Sequence, residues 1–398
     1  MTAAEIIRLH INDDVYALSA KSHWHEDYDK KWLVQQIQAR QKAKSKLPSW
    51  YGNFDLLFPP PLSVEQCSSE LTAAYKATLV AGGSLIDMTG GMGIDACAFA
   101  RRCNKVTFIE RQPAVADSAQ HNFNVLGINN MEVINGDSAQ LLPSLPSANC
   151  IFLDPARRKE GQKVFRLEDC EPDLLTLMPL LAQKASHLIL KISPLFDISL
   201  LQKQLDNIST IHIVAVHNEV KELLVEIKPG ETATEPELRC VNLEGGDKPE
   251  TTVVCLRGNE KQLCIEKTPK DWCADASGTF LYEPHPTIMK SGLMDLYAMR
   301  FGLRKLHAHS HLYSGEQRCD NFFGRVFEVE RVFGMGKAEL KAGLAGVAKA
   351  NITVRNFPLT ADALRKKLKL GDGGRVTLFA TTVEDGSHVI VKCGNSLG

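Results

Sequence analysis

The stretch Leu85–Phe99, "LIDMTGGMGIDACAF", decides how this chain is read. A short apolar run passes into a loop carrying Gly90, Gly91 and Gly93 and then into residues with helical spacing. In open α/β sheets such a strand–loop–helix unit sets backbone amides at the C-terminal end of a strand, where nucleotide-like ligands bind. A triphosphate-binding loop needs Gly-Lys followed by Ser or Thr, and no lysine follows Gly93, which argues against a kinase or ATPase site. Gly91, Gly93 and Ala96 satisfy G-x-G-x-x-A, and Glu110 lies where it can meet a ribose hydroxyl, so a dinucleotide stays open on these residues alone. Two carboxylates point elsewhere. Asp87, before the loop, would oppose a pyrophosphate and suits a cationic amino group. Asp137, in "NGDSAQLL", follows the third apolar run, where it or its adjacent backbone can bond an adenine amine.

Working outward, short apolar runs trade places with amphipathic stretches: "VTFIE", "PAVADSAQHNFNVLG", "MEVIN", "CIFLD", "DLLTLMPLLAQKA" and "HLILKI". This alternation predicts βαβ units and a doubly wound parallel sheet. The last runs, "IHIVAVHN" and "EVKELLVEI", are separated by too few residues for a parallel crossover and predict an antiparallel hairpin. That ending differs from an all-parallel dinucleotide sheet.

The residues before the sheet read as helical, broken by "FPPPLS"; "SVEQCSSELTAAYKA" follows, with Ser63 as helix cap and Gln66 at the capping-box position. After Gly230, "KPGETATEPEL" and "NLEGGDKPE" read as linkers, ahead of a strand candidate, "TTVVCLRG". From about residue 325 two helical stretches lie among several strands, which predicts a small α+β domain. The expected divisions are 1–80, helical; 81–230, the sheet domain; 231–324, a connecting segment; and 325–398, the α+β domain.

The 398 residues, 44% hydrophobic and 23% charged, contain no apolar stretch of membrane-spanning length, so no membrane partner is expected. The N-terminal "MTAAEIIRLHINDD" carries acids and no basic start, so no secretory signal is expected. Eleven scattered cysteines without a C-x-x-C pair suit a reducing cytoplasm and argue against a zinc ribbon. A net charge of −1 provides no global attraction for nucleic acid, which leaves local patches: "ARQKAKSK" around Lys42 and "RKKLKL" from Arg365.

"LIDMTGGMGIDA", "FIE", "NGDSAQLL" and "CIFLDPAR" resemble, in order and spacing, motifs one to four of class I S-adenosylmethionine-dependent methyltransferases. The resemblance implies a Rossmann-like α/β sheet and S-adenosyl-L-methionine as cofactor. It places Asp87, Thr89, Gly90, Gly91 and Gly93 at the methionine moiety, Glu110 at both ribose hydroxyls, and Asp137 with Ser138 at the adenine. Glycines at the loop would let the backbone approach the ligand without a Cβ in the way. Thr89 stands where glycine is commoner.

"FLDPARR" puts Asp154 at the catalytic position of that fold, with Pro155 stiffening the turn and Arg157 and Arg158 following. In relatives that methylate exocyclic amines of nucleobases, this acid and a proline-rich turn hold the amine near the sulfonium methyl. Here Ala156 replaces a second proline, and Arg157 stands where an aromatic often stacks, so Arg157 is expected to contact a phosphate or stack on a base. Uracil-C5 enzymes need a cysteine after the fifth strand; "LKISPLF" has Ser193 there, which disfavours covalent catalysis. Direct displacement by nitrogen or oxygen remains, with Asp154 orienting the nucleophile or accepting its proton. "DMTGGMGIDA" also resembles the D-x-T-x-G-x-G-x-D-A loop of a bacterial ribosomal-RNA guanine-N2 methyltransferase.

The C-terminal "FFGRVFEVERVF" through "HVIVKC" resembles the THUMP-like domain that follows methyltransferase domains in a bacterial family, and "YEPHPTIMKSGL" resembles that family's ferredoxin-like connecting element. The resemblance implies an RNA partner, tRNA or rRNA, with "ALRKKLKL" and Arg375 as phosphate contacts. The alternatives are a small-molecule or protein methyltransferase, and a non-catalytic RNA-binding protein retaining the cofactor fold. "HAHSH" has period two, which on a strand would line up His307, His309 and His311 on one face; without a carboxylate or cysteine motif nearby no metal is expected.

Overall fold

The computed structural model describes residues 1–21, 24–25, 27–157, 167–231, 235–246, 249–258, 265–268, 272–274 and 276–397. It divides into two units, one of Met1–His217, Lys221–Pro236 and Asn242–Thr252, the other of Asn218–Val220, Glu237–Val241 and Val253–Gly398.

The first unit begins with helices α1 (Ala3–Leu9), α2 (Val15–Ala20), α3 (Lys30–Ala43), α4 (Pro48–Gly52), α5 (Pro61–Gln66) and α6 (Glu70–Ala77). Apolar residues at helical spacing, Leu33, Ile37 and Ala43 among them, bury one face of α3. Arg40 on the same helix is fully buried, and its guanidinium donates to the carbonyls of Trp50, Tyr51, Asn53 and Leu56. Of the basic stretch around Lys42, Arg40 is thus internal; Lys42 and Lys44 are exposed, Lys42 pairing with Glu65, and half-buried Lys46 donates to the Val64 and Glu65 carbonyls. Ser63 does not cap a helix. Pro61 occupies the first helical position of α5 and starts it earlier, and the chain breaks at Cys67. Ser69 then caps α6, with Thr72 closing the capping box.

The sheet domain follows as β1 (Ser84–Asp87), α7 (Ile94–Ala100), β2 (Lys105–Glu110), α8 (Pro113–Val125), β3 (Met131–Asn135), α9 (Ser138–Leu141), β4 (Ala148–Leu153), β5 (Ala156–Arg157), β6 (Cys170–Glu171), α10 (Leu174–Lys184), β7 (Ala185–Ile192), α11 (Ile198–Gln204), β8 (Ile208–Val216) and β9 (Glu219–Ile227). The strand order is β8-β9-β7-β4-β1-β2-β3. Pairs among β7, β4, β1, β2 and β3 are parallel, and β9 runs antiparallel to β7. His217 and Asn218, with φ of 49° and 64°, form the two-residue turn of the β8–β9 hairpin that the sequence predicts. The sheet continues past β8 through β10 (Glu237–Glu244) and β11 (Glu250–Arg257). β10 corrects the linker reading of this region: Leu238, Cys240, Val241 and Leu243 are buried, a run too short and too interrupted by charge to stand out in sequence.

In the second unit, β12 (Phe280–Pro284), α12 (Pro286–Ser291), α13 (Met294–Met299), β13 (Arg304–Lys305) and β14 (Tyr313–Gly315) precede β15 (Gly324–Gly334), α14 (Lys337–Gly343), β16 (Lys349–Arg355), α15 (Ala361–Leu368), β17 (Gly371–Thr382) and β18 (His388–Cys393). The sheet order is β13-β14-β12-β15-β18-β17-β16, with β16 and β17 parallel across the α15 crossover. "HAHSH" lies in a turn rather than a strand, and His311 takes a left-handed φ of 53°, so alternation does not align the three rings. Among the described residues, no group of three His, Cys, Asp or Glu is arranged to hold a metal.

Candidate active site

The C-terminal ends of β1, β2, β3 and β4 open onto a cavity of about 530 Å³, lined entirely by the first unit. Thr89, Gly90, Gly91, Gly93, Glu110, Asp137, Ser138 and Asp154 all line it. Parallel strands in register bring residues far apart in sequence to one sheet edge.

The glycine loop is shaped by its own packing. A Cβ on Gly90 would sit 2.4 Å from the Phe108 ring and 2.9 Å from the Ile109 carbonyl, and one on Gly93 would sit 2.7 Å from Phe123. Gly91 and Gly93 have φ of 54° and 84°, which side chains rarely adopt. The aromatic pair beneath, Phe108 and Phe123, packs edge to face at 5.2 Å. These glycines thus answer to the chain's own backbone and core, a reason distinct from ligand approach.

Asp87 lies behind the loop, 1% exposed. One oxygen, Oδ1, accepts the Thr89 amide at 3.0 Å, and Oδ2 has no partner among the described residues. Burial pushes this carboxyl up to about 8; the Thr89 amide opposes the shift, and the charges of Asp95, Asp154 and Glu110 reinforce it. A buried carboxyl with an oxygen left unpartnered among the described residues fits a cationic group.

Glu110, at the end of β2, accepts the Gly91 amide on Oε2 and the Gln112 amide on Oε1, both at 2.8 Å. Its orientation is thereby fixed, and each oxygen keeps capacity to accept from a vicinal pair of hydroxyls. Asp137 caps α9, its Oδ1 accepting the Ala139 and Gln140 amides at 2.9 and 3.2 Å, while the residue borders the cavity.

At β4, the Asp154 amide donates to Thr89 Oγ1 at 2.7 Å. Asp154 Oδ2 accepts from Lys191 Nζ at 2.5 Å, and Oδ1 has no bond among the described residues. Pro155 is half-buried and leads into β5, whose Ala156 and Arg157 pair antiparallel with Glu171 and Cys170 of β6. Ala156, Glu171 and Pro172 reach the cavity wall beside this pairing, and Arg111 bridges to Glu171 at 2.6 Å. Arg158 lies outside the described residues, and Arg157 is described only by its backbone. Cys67 also lines the cavity, but burial pushes its thiol up to about 11, which leaves it a poor nucleophile.

Sequence reasoning missed Lys191 and the role of Thr89. Lys191 interrupts the apolar run of β7 and looks like an ordinary outward-facing residue; only the register of β7 against β4 reveals its partner.

Sheet order, terminal hairpin and glycine loop define the class I methyltransferase fold. Three family models match the chain: Conserved hypothetical protein 95 over residues 63–172, a ferredoxin-like domain over 280–322, and a THUMP domain-like module over 324–395. The crystal structure of a protein assigned as a methyltransferase from Porphyromonas gingivalis W83 superposes with a TM-score of 0.87 and 32% identity, covering 99% of this chain and 97% of that one. An uncharacterised S-adenosylmethionine-dependent methyltransferase of Mycobacterium tuberculosis, described in strains CDC 1551 and H37Rv, is 24% identical over 361 residues, 89% of this chain and 94% of the relative. The chain belongs to the bacterial family of S-adenosylmethionine-dependent methyltransferases with a C-terminal THUMP-like domain, and its cofactor is S-adenosyl-L-methionine.

Proposed function

We propose that the chain methylates RNA at a nitrogen, with an exocyclic amine of a base as the acceptor. The observation that carries this reading is the Asp154 carboxylate at the cavity edge, one oxygen held by Lys191 and the other without a bond among the described residues. Such an oxygen can take the N–H of an amine and turn its lone pair toward the methyl group.

The cofactor would supply a sulfonium-bound methyl group open to in-line attack by a lone pair, with the thioether as leaving group. Asp87 Oδ2 would take its ammonium, the backbone of Thr89, Gly90, Gly91 and Gly93 would flank its methionine chain, Glu110 would accept from both ribose hydroxyls, and Asp137 with Ser138 would meet the adenine. Pro155 would stiffen the acceptor turn and Arg157 would meet phosphate or base. Positioning carries most of the rate in such a displacement.

The THUMP-like domain supports an RNA partner. Within it Lys366, Lys367, Lys369 and Arg375 are exposed, as phosphate contacts would need to be. Arg365 does not share that role: it donates to the Ala350 and Gly371 carbonyls and pairs with Asp372 at 2.7 Å. The test is RNA binding followed across salt concentration. The Lys366→Ala/Lys367→Ala variant should bind more weakly with a shallower salt dependence than the parent chain; an unchanged slope would remove this surface from the reading.

A further inference from the structure

Parallel pairing sets Leu153 of β4 against Leu190 of β7, so the next residues, Asp154 and Lys191, come level at the sheet edge. Lys191 is 14% exposed and does not line the cavity; Asp154 does. Behind Lys191 stands a buried polar chain. Glu222 of β9 accepts from Lys76 Nζ at 3.1 and 3.2 Å, and Lys76, wholly buried, also donates to Ser68 Oγ at 2.7 Å and pairs with Asp95 at 3.1 Å. Ser68 in turn donates to Asp95 Oδ2 at 2.6 Å. Ser68 and Asp95 reach the cavity wall on the side of α6 and α7, and Asp154 reaches it from β4. Burial works against charge on Lys191, yet Asp154, Glu222 and Asp95 outweigh it and hold the ammonium well above its usual range. Lys191 stands beside Asp154 as a donor.

We propose that Lys191 is a positioning residue for methyl transfer, fixing Asp154 so that its second oxygen meets the hydrogen of the nucleophile. The inference rests on the role given to Asp154 above. An ionised carboxylate only accepts hydrogen bonds. The accepting nitrogen must therefore carry a hydrogen, as an exocyclic amine does and a ring nitrogen with a bare lone pair does not. As the N–C bond forms, the C–S bond breaks with its electron pair on sulfur, and the surplus proton leaves nitrogen for Asp154 Oδ1 and then solvent.

The experiment incubates the full chain and its Lys191→Met, Lys191→Arg, Asp154→Asn and Asp154→Asn/Lys191→Met variants with methyl-labelled cofactor. The acceptor is whole extract of a host lacking the gene, separated afterwards into RNA, protein and small-molecule fractions, and cofactor affinity is measured by calorimetry on the same samples. Lys191→Met should lower the saturated rate by roughly 10–100-fold while half-saturation and cofactor affinity stay within about twofold. Lys191→Arg should recover most of the rate, and the double variant should be no slower than Asp154→Asn alone, because Lys191 acts through Asp154. The double variant also leaves no unpaired buried charge, so it reports on rate even where Lys191→Met folds poorly. Full rate in Lys191→Met, additive losses in the double variant, or a loss matched by cofactor affinity would overturn the proposal. Label entering protein or small molecules, with the Lys191 pattern intact, would overturn the RNA reading and uphold this one. Label in no fraction would overturn both.

Discussion

The amide of Asp154 donates to the hydroxyl of Thr89 at 2.7 Å, joining the glycine loop after β1 to the turn after β4. Thr89 thus places a side chain that ties the two loops together. Thr89→Val keeps the shape and removes the acceptor, so the Asp154 amide loses its partner at a cost of about 1–3 kcal/mol. Thermal unfolding should show that loss, methyl transfer should fall by roughly tenfold, and Thr89→Ser should behave as the parent chain. Equal behaviour of the Val and Ser variants would show that the hydroxyl does not matter.

If Asp87 takes the cofactor's ammonium as proposed, cofactor binding should depend on pH. Its carboxyl sits at about 8 in the folded chain against 3.8 ordinarily, so between those values folding takes up a proton that the unfolded chain lacks. Stability contributed by this site therefore falls as pH rises through that window. Pairing with an ammonium needs the ionised form, so affinity should tighten from pH 6 to pH 8, by at most about tenfold per unit for one proton. Calorimetry in buffers of different ionisation enthalpy should show proton release on binding, and Asp87→Asn should abolish it, weaken binding and stabilise the free chain at the upper end of the window.

The glycine loop should tolerate no methyl group at two positions. Gly90→Ala would overpack Phe108 and the Ile109 carbonyl, and Gly93→Ala would add a left-handed φ to a clash with Phe123. Each should cost about 1–3 kcal/mol in denaturant unfolding. Gly127, with φ of 68° and nothing within 4 Å of a Cβ, is the control that isolates backbone strain, and its alanine variant should cost less.

A second cluster, around Glu226, should contribute to acid sensitivity. Glu226 lies 2.8 Å from His187 Nε2 and 2.7 Å from His212 Nε2, and His212 Nδ1 lies 2.7 Å from the Tyr75 hydroxyl. Burial would raise the Glu226 carboxyl, but the two histidines hold it down to about 2 against the ordinary 4.5. Its contribution is complete above pH 4.5 and is lost as pH falls towards 2. Glu226→Gln should be less stable than the parent at pH 7, and the gap in melting temperature should narrow between pH 5 and pH 3.

Much of this was legible in the residues because local periodicity and glycine-loop chemistry are short-range signals. The alternation from Leu85 to Ile192, and the brief link at His217 and Asn218, dictate a parallel sheet with a terminal hairpin before any contact is known. What escaped reading depends on register and burial. Lys191 gains meaning only from the strand beside it, Arg40 only from four carbonyls brought to it by the following loop, and β10 only from the strands that cover it. Ser63 was a plausible cap because its neighbour Gln66 has the right spacing; the prolines before it moved the helix start.

The most direct test of the central claim is mass spectrometry of nucleosides from the RNA of three strains: the parent, one lacking the gene, and one carrying the Asp154→Ala chain in its place. The account predicts one N-methylated nucleoside, bearing the methyl on a former N–H, present in the parent and absent from both others. Identical nucleoside profiles in all three, with the Asp154→Ala chain expressed and folded, would contradict it.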